Sequence, residues 1–100
     1  MDDAGLPALI EAFRHMHGCE ASWIESVQVI ETFQGATIWQ GDVQVFELTG
    51  HPSATRGYAW SEPTTGTKRR FFVVLHVPPI DSPQKAVQGS IAADIKAGRN

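Results

Sequence analysis

One cysteine among 100 residues excludes an internal disulfide, so nothing covalent staples this chain. Charge is scarce as well: eight Lys and Arg stand against eleven Asp and Glu, for a net charge of −3. Such a balance gives no basic field, and nucleic acid is not expected as a partner. No apolar run approaches the roughly 18 residues of a membrane span, so no membrane partner is expected either. The start, Met1-Asp2-Asp3, lacks the charged and apolar regions of a secretory signal, which makes the cytoplasm the default expectation. Internal repeats and linker-like stretches are missing. Thr64-Thr65-Gly66-Thr67-Lys68 lacks the full spacing of a phosphate-binding loop and reads as a hairpin loop. No cofactor is implied.

What is present is a globular composition, with 42% apolar residues. A chain of this length makes one domain and buries about two thirds of its unfolded surface. The low charge fraction suggests that a second copy covers part of the surface. Leu6, Leu9, Ile10, Phe13 and His17 recur at helical spacing, which predicts a helix over 6–17 with Pro7 in its first turn and Gly18 after its end. Strands are predicted at 23–33, about 36–49, about 55–61 and 68–77, with Gln34-Gly35 as the first turn. Gly41-Asp42 marks either a bulge or a split in the second strand. Pro78-Pro79 stops the last strand, Ser82 caps a final helix with Pro83 at its first position, and Gly98 ends it.

The expected fold is therefore α+β: a four- to five-stranded antiparallel meander with an N-terminal and a C-terminal helix packed on one face, in the order α-β-β-β-β-α. Phe71, Val73, Leu75 and Val77 would lie under the helices. Arg70, Phe72, Val74 and His76 would form the opposite face, too apolar for water, and a homodimer interface is expected there.

Chemistry-bearing residues cluster first at Arg14-His15-Met16-His17-Gly18-Cys19-Glu20. On a helix His15 and His17 point about 200° apart and cannot chelate one ion together. Cys19 follows a helix C-terminus, where the dipole disfavours a thiolate. The cluster reads as a helix exit, and neither a metal site nor a catalytic residue is assigned. The aromatic residues are more suggestive. Trp23, Trp39, Tyr58 and Trp60 fall in predicted strands and either fill the core or line a pocket, with Arg56 and His76 as polar anchors. These six residues are the expected ligand-binding set.

The stretches RHMHGCEASWIESV (14–27), GDVQVFELTGHPSATRGYAWS (41–61) and RRFFVVLHVPPIDSPQKAV (69–87) resemble a family of small proteins encoded on mobile integron gene cassettes. The resemblance implies a compact protein that self-associates, and it carries over no catalytic residues. The expected function is a homodimeric binding module for a small molecule or a partner protein. The alternative is a small enzyme with an active site at the subunit boundary, drawing on Glu25, His15 or His76.

Overall fold

The computed structural model describes residues 5–96. Helix α1 (Gly5–His17) leads into strands β1 (Glu20–Phe33), β2 (Ala36–Thr49), β3 (Arg56–Pro63) and β4 (Arg69–Leu75), and helix α2 (Pro83–Lys96) follows. The four strands form one antiparallel sheet in the order β1-β2-β3-β4, as the meander pattern predicts. Gly98 and the Met1–Asp3 segment lie outside the described residues.

Local chemistry accounts for the element ends. Gly18 adopts φ 64° and its N–H donates to the Arg14 carbonyl at 3.0 Å, which closes α1. Gln34 and Gly35 both take positive φ, 53° and 81°, which suits the two-residue hairpin between β1 and β2. Ser82 caps α2 through its hydroxyl, which accepts from the Lys85 N–H at 3.2 Å. β4 ends at Leu75 rather than at Val77. The Val77 N–H turns back to the Leu75 carbonyl, and the Pro78-Pro79 pair that follows has no donors to extend the ladder.

Strand β2 runs unbroken through Gly41-Asp42. The irregularities fall instead at Ile24 on β1 and Ile38 on β2, each an extra residue in the register. Gly41 serves a different purpose. A Cβ there would come within 3.1 Å of the Trp39 indole, so glycine makes room for that ring.

The helices do not share a face. Leu9 and Phe13 of α1 pack with Phe46, Leu48, Ala59, Val73 and Leu75 on one side of the sheet. Ala86 and Val87 of α2 pack with Val43, Val45, Tyr58, Trp60 and Phe72 on the other. Alternate residues of β3 thus support opposite helices. The expectation of one covered face fails because both faces of β3 and β4 carry enough apolar area to require a cover. The face of Phe72 and Val74, expected to be an open homodimer interface, is the one that α2 covers: Phe72 is 9% exposed.

Helix α2 lies across the sheet. Gln84 donates to the Ile30 carbonyl and Gln88 to Glu31 at the β1 side, while Arg70 of β4 pairs with Asp94 at 3.0 Å near the other end. On the opposite face Phe13, fully buried, wedges against Gly57, where a Cβ would come within 2.6 Å of its ring. No helix among the described residues is long and apolar enough to cross a membrane.

The close approach at Gly57 predicts a coupled pair. Gly57→Ala should cost about 2 kcal/mol by overpacking. Combining it with Phe13→Leu should cost less than the sum of the two single changes, because the smaller side chain relieves the clash. Urea unfolding of the two single variants and the double variant measures this, and strict additivity would disprove the wedge.

Candidate functional site

The α2 side of the sheet carries two polar places, one at each end of β3. At the start of the strand, Tyr58 is 1% exposed and its hydroxyl lies 2.5 Å from Nδ1 of His76. Arg56 and Asp81 are close enough to act on the phenol electrostatically. Burial raises the Tyr58 pKa above its usual value, Asp81 adds to the rise and Arg56 opposes it. The phenol is packed into the core, with its oxygen closed off by His76.

At the far end of β3 the arrangement differs. Trp39 and Trp60 meet edge to face, with ring centroids 5.8 Å apart. Both indole N–H groups donate to Oε2 of Glu62, at 2.7 Å and 3.1 Å. Trp60 also stacks on Phe72 at 5.1 Å, and the Arg70 guanidinium sits 4.4 Å from the Phe72 ring centre on its way to Asp94. Trp39 and Glu62 then form one wall of a groove of about 410 Å³, closed by Phe33, Ile38, Ile91 and Ile95. Phe33, Ile38 and Ile95 are 62%, 50% and 58% exposed, an apolar rim that no element among the described residues covers. Oε2 serves both indoles, and among the described residues Oε1 of Glu62 accepts no hydrogen bond.

The six expected binding residues are therefore divided. Trp39 and Trp60 meet at the groove. Arg56, Tyr58 and His76 gather at the opposite end of the same face, roughly 13 Å away along the strand at about 3.3 Å per residue. Trp23 lies on the α1 side, where its indole donates to Gln44 at 2.8 Å and Gln44 in turn donates to Ser26. The Ile24 bulge places Trp23 opposite Phe46, an α1-face position. A larger opening on that side, about 510 Å³, is lined by Leu6, Asp42, Gln44, Ser61 and Arg69. Within it Arg69 donates to the Ser61 hydroxyl and carbonyl, and Gln44 accepts from Trp23 and donates to Ser26.

Glu62 and Ile95 were missed as site residues. Continuing the alternation of Arg56, Tyr58 and Trp60 by one step would have reached Glu62, which instead reads as loop because Pro63 follows it. Ile95 keeps the four-residue spacing of Val87 and Ile91 but lies past the edge of the core.

The Arg14–Glu20 segment is a helix exit, as the spacing predicts. Arg14 bridges Glu11 and Glu20 at 2.6 Å and 2.8 Å. Cys19 is 1% exposed, and burial followed by the charge of Glu20 raises its thiol pKa. Nε2 of His17 is buried without a partner; the neighbouring His51 ring uses its own Nδ1 to accept from the Ser53 and Ala54 N–H groups. Among the described residues no three His, Cys, Asp or Glu side chains are grouped to hold a metal ion.

Tyr58 is the chain's single tyrosine, so its ionisation can be read directly from tyrosinate absorbance. Because its folded pKa is raised, the stability it contributes is complete below the usual value of about 10 and is lost as pH rises through the raised value. Tyr58→Phe should flatten this alkaline loss and cost about 1 kcal/mol near neutral pH. Tyrosinate forming at the ordinary value in the folded protein would refute the burial of the phenol.

Comparison of the chain with protein-family models, with curated proteins and with solved structures finds no match, so the functional reading rests on the geometry of these two places.

Proposed function

We propose that the protein is a homodimeric, non-enzymatic module that binds a small molecule with an apolar body and a cationic head in the groove beside Trp39 and Glu62. One observation carries this reading: a carboxylate anchored by two indole N–H groups stands in the wall of an otherwise apolar groove. Few polar groups among apolar walls is the usual character of a small-molecule site. Charge favours a cation, since the Glu62 carboxylate lines the groove while Arg70 and Asp94 neutralise each other. The Trp39 ring beside Glu62 adds an aromatic surface suited to an ammonium group.

The enzymatic alternative has less support. Of its three residues, His76 is engaged with Tyr58, and His15 and Glu25 are exposed on α1 and β1. Among the described residues no hydrogen bond joins a histidine to a carboxylate, the pair that such an enzyme would need. Self-association is what the resemblance to cassette-encoded proteins implies. A cytoplasmic location suits a lone buried thiol.

Titration with phenethylammonium, phenethyl alcohol and phenylpropionate, followed by tryptophan fluorescence and ligand-observed NMR, tests the reading. The cation should bind about tenfold more tightly than the alcohol, equivalent to about 1.4 kcal/mol, with no binding of the anion. Glu62→Gln keeps an acceptor oxygen for the indoles and should bring the cation and the alcohol to parity. Ile95→Ser, at the exposed rim, should weaken both without lowering stability. Equal affinity for cation and alcohol in the native protein, or binding indifferent to Ile95→Ser, would sink the proposal.

A further inference from the structure

The two edges of the sheet are not alike. The β1 edge is blunted: Ile24 bulges, and the Ile30 carbonyl is occupied by the side-chain amide of Gln84. Among the described residues the β4 edge has no such device. Its register with β3 runs without a shift from Gly57↔Leu75 to Pro63↔Arg69, and the strand from Phe71 to Leu75 is uncharged, free of proline and rich in strand-forming residues. A straight, apolar, uncovered edge of this kind pairs with another strand unless something blocks it.

Which backbone groups are available follows from the ladder. The His76 N–H donates to the Arg56 carbonyl and the Thr64 N–H to the Lys68 carbonyl, which makes 56↔76 and 64↔68 hydrogen-bonded pairs. Alternation then directs the backbone groups of Arg70, Phe72 and Val74 toward β3, and those of Arg69, Phe71, Val73 and Leu75 outward. The Leu75 carbonyl is taken by the Val77 N–H. In the uncharged part of the strand, Phe71 and Val73 then present two outward donor–acceptor sets separated by one residue.

We propose that this edge pairs antiparallel with the β4 edge of a second copy, about a twofold axis through Phe72. Phe71 of one copy then stands opposite Val73 of the other, and the reverse, so that both donor–acceptor sets of each strand are used. The same register sets Arg70 opposite Val74 and Arg69 opposite Leu75, which keeps the four guanidinium groups at the two ends of the pair. The arrangement is self-complementary, as an isologous contact requires. It also covers exposed apolar surface beside the strand, where Met16 and Phe71 are 56% and 42% exposed and a groove of about 400 Å³ runs along Val73, Ile80, Gly89 and Ala93.

The proposal rests on the homodimeric part of the reading above and is independent of the ligand groove. Light scattering at micromolar concentration should give the mass of two chains for the native protein and of one chain for Phe71→Lys, which places a charge on the edge. In the native protein the Phe71 and Val73 amides should be protected from hydrogen exchange, and in Phe71→Lys they should exchange at least ~100-fold faster. The Phe72 and Val74 amides, directed at β3, should remain protected in both and thereby report an intact fold. A native dimer whose Phe71 and Val73 amides exchange freely would overturn this interface and leave the homodimer standing. A native monomer would overturn both.

Discussion

The structure depends on the burial of β3 from both sides. Its residues alternate small and large: Gly57 and Ala59 face α1, Tyr58 and Trp60 face α2. The small side admits the Phe13 ring directly onto the strand, so α1 approaches closely and needs only a narrow stripe, Leu9 and Phe13, to seal its core. The large side supplies aromatic area instead of depth. α2 can therefore be weakly apolar, burying little beyond Ala86 and Val87, because Tyr58, Trp60 and Phe72 fill the space beneath it. One strand thus sets how near each helix lies and how much apolar surface each must bring.

That division explains why the two polar ends of the α2 face differ in what they can do. At the Tyr58 end, the phenol lies in the packed core and its hydroxyl meets His76, so the donor and acceptor satisfy each other. At the Trp60 end, one carboxylate oxygen takes both indoles, and the exposed residues Phe33, Ile38 and Ile95 stand around it. A buried polar group with a partner contributes to stability, and a half-buried one with capacity left over can bind. The two places share a strand face and a helix, and only the second has room.

Much of the fold was legible because local chemistry and hydrophobic period agreed. Gly18, Gln34-Gly35 and Ser82-Pro83 each demand a specific backbone geometry, and each sits where that geometry occurs. The helix placement was not legible in the same way. Phe71, Val73 and Leu75 on one side and Phe72 and Val74 on the other are both apolar sets, and a period of two cannot say whether the second set meets a helix or a partner. Trp23 was misplaced for a related reason: the Ile24 bulge shifts the face of every residue before it, and bulges carry no strong sequence mark. Of the binding set, the pairing of Trp39 with Trp60 depended on a contact between strands that do not pair with each other at that point. Gly41 was the clue. It reads as a strand interruption, while its structural purpose is to let the Trp39 indole lie over the backbone.

The helix positions also account for the contrast between the sheet edges. α2 starts above β1 and uses Gln84 and Gln88 to hold that edge, then crosses toward β4, where Arg70 and Asp94 fix it from the side chains alone. Side-chain pairing of this kind leaves the backbone of β4 untouched. On the other face α1 presses Leu9 and Phe13 into the core, and Met16 beyond them stays exposed. A helix on each face therefore covers both surfaces of β4 without reaching its edge. The contrast lies in the backbone: Gln84 occupies a carbonyl at the β1 edge, whereas at the β4 edge Phe71 and Val73 present donors and acceptors at the spacing of a strand.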